Sequence, residues 1–119
     1  MEMALRTDQA GRVRFSDEMV GFQVIGGSEE IGKIDHACFD GLWATVSVGR
    51  LNKTRYAIPH WAVSVVDPES ESVLVGFAKE DVLESPEYDD GVGMAGEYRE
   101  QVGAYYRGVH GRTKTLKIA

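Results

Sequence analysis

His36, Cys38 and Asp40 stand at alternate positions of one short stretch. On a β-strand alternate side chains share a face, so imidazole, thiol and carboxylate would project together. Joined by His60, that set is the nearest the chain comes to a zinc site, which requires four converging ligands. It is also the nearest to a nucleophilic centre, with Cys38 attacking and His36 or His60 as base. Spacing argues against both. Side chains at i and i+2 of a strand stand roughly 7 Å apart, beyond direct hydrogen-bond reach, and a lone Cys in a strand is ordinarily a small buried hydrophobe. No metal, cofactor or catalytic residue is expected.

Aromatic residues offer a different chemistry, that of docking. His60 and Trp61 follow Pro59 at a corner of the chain, where an exposed ring would anchor a partner and a buried one would cap the core. Tyr88 can lay its ring over apolar surface with the hydroxyl in water. Met94, Tyr98, Val102, Tyr105 and Tyr106 recur at helical spacing, so Tyr98, Tyr105 and Tyr106 form a stripe that must face something. Together His60, Trp61, Tyr88, Tyr98, Tyr105 and Tyr106 are the candidate partner-binding residues. Glu69/Glu71 and Asp89/Asp90 read as solvated turns. Gly91, Gly93 and Gly96 follow no strand and open no phosphate-binding helix.

The elements that must position these groups are mostly strands. Residues 1–18 read as a leader, with a strand possible over 12–15. Residues 20–25 form an apolar strand, and Gly26-Gly27 supplies the positive φ of a reversal. A second strand runs from Ile31 towards Phe39, and Asp40-Gly41 is a hairpin signal. Residues 42–48 alternate with period two, placing Leu42, Ala44, Val46 and Val48 on one face and Trp43, Thr45 and Ser47 on the other, as in a half-buried strand. Further strands are expected over 54–58, 62–66 and 73–77, with Pro59 forcing an edge or an exit from the ladder. Short strands at spacings near ten residues point to a small barrel or sandwich. Residues 79–84 suit one or two helical turns ending before Pro86, and Gly108 marks a stop for the tyrosine-bearing helix.

Three segments, in order, carry a likeness to a known family. Glu30-Ile31-Gly32-Lys33-Ile34-Asp35 is similar to a glycine turn followed by an "IGKV" strand. Tyr56-Ala57-Ile58-Pro59 with Ala62-Val63 is similar to a strand entering an "IP..AV" corner. Residues 79–88, KEDVLESPEY, are similar to a closing "KE.L..AP.Y" element. The chain thus resembles the PRC-barrel family over about residues 20–90. This family includes the photosynthetic reaction centre H subunit, a ribosomal RNA maturation factor and many small bacterial proteins. The resemblance implies a mainly β fold: a small antiparallel β-barrel over 19–90, with a short helix near 79–85. A linker and an amphipathic helix near 94–107 fill residues 91–108, and 109–119 form a basic tail. The hairpin at residues 39–50 is short and lacks the family's long acidic loop.

Composition narrows the function. The 119 residues are 43% hydrophobic and 27% charged, suited to one globular domain. No stretch approaches the roughly 20 apolar residues of a membrane span. Residues 1–11 have no apolar signal region, and one cysteine excludes an internal disulfide. A cytoplasmic protein is the simplest reading. The net charge of −6 is uneven: Arg107, Arg112, Lys114 and Lys117 give the last 13 residues +4, leaving −10 on the rest. An acidic body repels phosphate backbones, so nucleic acid is not the expected partner. The expectation is a non-catalytic protein-interaction or scaffolding module that forms a homodimer through strand edges or exchanged helices. Its rivals are an RNA- or ribosome-associated maturation factor, and a small metal- or ligand-binding enzyme using His36, Cys38 and His60.

Overall fold

Alternating apolar residues on successive short segments build one six-stranded sheet. The computed structural model describes residues 14–51, 53–91, 93, 94 and 96–118, with side chains described as far as Val109. Its strands are β1 (Gln23–Gly26), β2 (Glu29–Cys38), β3 (Trp43–Val48), β4 (Thr54–Pro59), β5 (Val63–Asp67) and β6 (Ser72–Val75). Two helices follow, α1 (Lys79–Leu83) and α2 (Gly96–Ile118). The strand order is β4-β3-β2-β1-β6-β5.

Expected as wholly antiparallel, the sheet is mixed. β1 through β4 form an antiparallel meander, and β5 and β6 an antiparallel hairpin, but β6 lies parallel to β1. The cause is the corner after β4. Pro59 is followed by a 3-10 turn, His60–Ala62, which carries the chain away before the last hairpin returns to the far side of β1. The outer strands β4 and β5 do not pair with each other, so the hydrogen bonds close no barrel among the described residues.

Two glycines are fixed by crowding. A Cβ on Gly32 would run into the Ser47 carbonyl of β3, so only a bare backbone lets these strands pack as they do. Gly41 adopts φ +84 in the β2–β3 turn, and a Cβ there would meet the Phe15 carbonyl. Phe15 N–H donates back to Gly41 O at 2.9 Å, and its ring is buried. Arg14, Phe15 and Ser16 therefore dock on the turn without forming a strand; Arg12 and Val13, the other half of the expected strand, lie outside the described residues.

β3 corrects a second expectation. Instead of showing one wet face, it buries Trp43, Ala44, Thr45 and Val46 in succession. Two neighbours cover the Trp43 and Thr45 face: Gly103 of α2 passes close to the Trp43 ring, and the Asp35 carboxylate of β2 accepts a hydrogen bond from Thr45 Oγ1.

Helix α2 also outruns the expected end at Gly108. Tyr98, Val102, Tyr106 and Val109 form its buried stripe. A glycine inside a helix costs about 1 kcal/mol relative to Ala. Burying the next residue, Val109, contributes about 1.5–3 kcal/mol, so the helix gains by continuing. Its backbone carries on to Ile118, through most of the expected basic tail. No helix among the described residues is long and apolar enough to cross a membrane.

Candidate functional site

Where β2 passes the middle of β3, its register slips between Ile34 and His36, leaving Asp35 as the extra residue of a β-bulge. The bulge turns the Asp35 carboxylate towards its neighbours on the sheet. It accepts hydrogen bonds from Thr45 Oγ1 at 3.4 Å and Arg55 Nη1 at 3.2 Å, and His36 Nδ1 lies 3.2 Å away. The Arg55 guanidinium also donates through both terminal nitrogens to the Asp90 carboxylate. One cation of β4 thereby ties the β2 bulge to the loop that carries Asp90. The same guanidinium lies 5.9 Å from the centre of the Tyr88 ring, whose backbone N–H donates to Arg55 O at 2.8 Å.

These groups surround a pocket of about 190 Å³ lined by His36, Cys38, Thr45, Arg55, Tyr88 and Asp90, with Ala37. Its surroundings act on the ionisable groups that line it. Burial, aided by the Asp35 charge, pushes the Cys38 thiol up from its ordinary value, which favours the unreactive protonated form. Burial likewise pushes the Tyr88 phenol up. The hydrogen bond to Asp90, more than any other influence, holds the Arg55 guanidinium in its charged form. Paired carboxylates on both sides of an arginine brace a structure, and His36, in the same lining as the thiol, lies against Asp35.

The trio at alternate positions does not assemble as expected. His36 is exposed, Cys38 ends β2, and Asp40 falls beyond the strand in a turn with φ 54. Because the strand ends at Cys38 and the chain turns through Phe39 and Asp40 with positive φ, Asp40 no longer alternates with the other two. Among the described residues no three His, Cys, Asp or Glu side chains gather as metal ligands. His60 lies in the 3-10 turn after β4, its backbone N–H donating to Leu42 O at 2.8 Å.

The aromatic candidates have separate places. Trp61 is half-buried, edge-on to Phe77 with ring centres 5.7 Å apart, so it sits against the core at the corner. Tyr106 is fully buried beside Phe77, and its hydroxyl donates to Ser85 Oγ at 3.3 Å. Tyr105 is half-buried and donates to Asp81 O. Tyr98 is buried and donates to Pro86 O at 3.0 Å, with Tyr88 edge-on to its ring at 6.1 Å. The tyrosine stripe thus fastens α2 to the α1 segment of the same chain. Burial pushes the phenols of Tyr98 and Tyr106 well above the ordinary tyrosine range.

Sequence reasoning missed Asp35, Thr45 and Arg55 as one cluster. Each occupies an ordinary strand position, and the bulge that aims Asp35 has no glycine to announce it. The only signal was the acidic residue closing the IGKID run.

No family model and no curated protein matches the chain. Among solved structures it is similar to a putative 16S ribosomal RNA processing protein, RimM, from Pseudomonas aeruginosa. That likeness has 20% identity and a TM-score of 0.43, covering 56% of this chain and 44% of the other.

Proposed function

We propose that this chain is a non-catalytic protein-interaction or scaffolding module of PRC-barrel type that associates with itself. The observation that supports it is the condition of the groups chemistry would need. Catalytic acids and bases work best with pKa values near the operating pH. Here the shifted thiol and phenols all move upward, away from neutrality, and Asp35 and Arg55 hold each other. The barrel-type reading rests on the three ordered segments and the strand-rich fold they occupy. Self-association would use the outer edge of β5, which pairs only with β6 among the described strands.

Light scattering at micromolar concentration tests the assembly: the expected mass is twice the 13.1 kDa of one chain, and a lone 13.1 kDa species removes it. Screening against simple esters and amides tests the absence of catalysis. Turnover that disappears in Cys38→Ser would overturn the reading. Capture of partners from a native lysate is expected to weaken on Trp61→Ala, and unchanged capture counts against the His60–Trp61 corner.

An RNA- or ribosome-associated role is the second reading. It follows from the maturation-factor branch of the resembled family, and a local cluster of lysine and arginine favours it. The acidic body opposes it. Absence of any salt-sensitive shift with a ribosomal RNA fragment would remove it.

A further inference from the structure

On an acidic protein, one groove has the opposite sign. It runs along the start of β2 and the end of β3, and has a volume of about 740 Å³. Lys33 stands on β2, Arg50 and Lys53 on the turn between β3 and β4, and Lys79 at the first position of α1. Glu30 is the single carboxylate in the lining among the described residues, which gives these residues a balance of +3 on a chain of net −6. Gly32 and Gly49 contribute no side chains to it.

What distinguishes these cations is that they are unmatched. Among the described residues none of the four has a carboxylate within ion-pair distance or a side-chain hydrogen bond. Cations drawn from three separate elements and facing one groove repel one another, which favours an anionic occupant. Beside them, in the same turn, Leu51 is 94% exposed, the most exposed large apolar side chain described. A bare leucine flanked by Arg50 is suited to a ligand that is both acidic and apolar.

The lining also decides the class of anion. Among the described residues no aromatic side chain lines the groove, so they provide no platform on which a nucleobase could stack. Glu30 and the acidic body disfavour the dense charge of a phosphodiester chain. A polypeptide carries fewer charges, and its apolar side chains can use Leu51.

We propose that the groove bounded by Lys33, Arg50, Lys53 and Lys79 docks an acidic peptide segment of a protein partner, with Leu51 receiving an apolar side chain of that segment. This deepens the interaction-module reading and rests on it for the existence of a partner. Attraction of this kind is screened by salt, over a distance of about 8 Å at physiological ionic strength.

The test is fluorescence anisotropy on the full chain with three probes. These are a labelled peptide of repeated Glu-Glu-Leu units, its Gln-Gln-Leu counterpart, and a short single-stranded RNA. The Glu-Glu-Leu peptide is expected to bind, to weaken as salt rises, and to lose about tenfold in affinity to the double variant Lys33→Glu/Arg50→Glu. Leu51→Ser is expected to weaken it severalfold, and the Gln-Gln-Leu peptide to bind poorly. Equal binding to wild type and the double variant overturns the proposal. So does RNA binding more tightly than the acidic peptide and being lost in that variant. The scattering mass of the same samples separates the two readings. A dimer indifferent to the acidic peptide sinks the groove and leaves the module, whereas a monomer with Cys38-dependent turnover that still binds the peptide sinks the module and leaves the groove.

Discussion

Arg55 and the four groove cations belong to one sheet region, yet they live in opposite electrostatic surroundings. Arg55 lies between Asp35 and Asp90, is braced by Tyr88, and makes contacts from the β2 bulge to the loop after α1. Lys33, only two residues from Asp35, shares a groove with Arg50, Lys53 and Lys79 and meets no carboxylate partner among the described residues. They share one face of the sheet, since Lys33 and Arg55 both pair with Ser47 of β3; what differs is the bulge at Asp35, whose carboxylate engages Arg55. The difference teaches what a cation is for: one matched by carboxylates holds the chain together, and one left unmatched at a groove is available to something else.

The strongest way to break the comparison is to break the surface both regions share. Gly32→Val forces side-chain atoms into the Ser47 carbonyl and towards Val46, where backbone cannot yield cheaply. Overpacking of this kind costs about 1–3 kcal/mol. Urea denaturation should report that loss, and an unchanged midpoint would mean that β2 and β3 are not held as closely as Gly32 implies. The next effect is smaller. Arg55→Ala removes a pair whose guanidinium is open to solvent, and screening keeps the loss below that of Gly32→Val. A double-mutant cycle with Asp35→Ala should give a small favourable coupling; zero coupling would make the bridge ornamental.

The sequence foretold much of this scaffold and little of its electrostatics. Alternation over residues 42–48, Asp40-Gly41 and the Pro59 corner were enough to place β3, the hairpin and the exit from β4. Pattern could not reveal that β6 returns parallel to β1, because that depends on where the chain goes after the His60–Ala62 turn. Nor could it place α2 over Trp43 and the Asp35 carboxylate beside Thr45, which together turn a two-faced strand into one buried on both sides. The tyrosine stripe was legible as a stripe, and its target, the α1 segment, is a long-range contact. Both charged regions were missed for one reason: their members lie on different elements, and charge at a single position has no periodicity to betray its neighbours.

A reactivity measurement sharpens the braced side of the comparison. The Cys38 thiol is held up first by burial and second by the Asp35 charge. Alkylation by iodoacetamide at neutral pH should therefore be slower in the folded chain than in urea. Asp35→Asn should speed it modestly, since burial remains. The linkage has a definite sign: a thiol with a raised folded pKa stabilises the fold below the ordinary thiol range, and that contribution is lost as pH rises through it. A folded Cys38 that reacts as fast as the unfolded one would remove the electrostatic account of the pocket.

The smallest effect is the most discriminating. Lys33→Glu/Arg50→Glu changes the net charge from −6 to −10, yet both side chains are exposed and neither has an ion pair to lose among the described residues. Substitutions of this type ordinarily shift stability by no more than about 0.5 kcal/mol. Extra self-repulsion should show only at low salt, because screening suppresses it as ionic strength rises. The urea midpoint at physiological salt is therefore expected to match wild type while acidic-peptide binding falls. If instead the double reversal costs as much stability as Arg55→Ala, the groove cations are structural after all. The distinction between matched and unmatched charge on this sheet would then disappear.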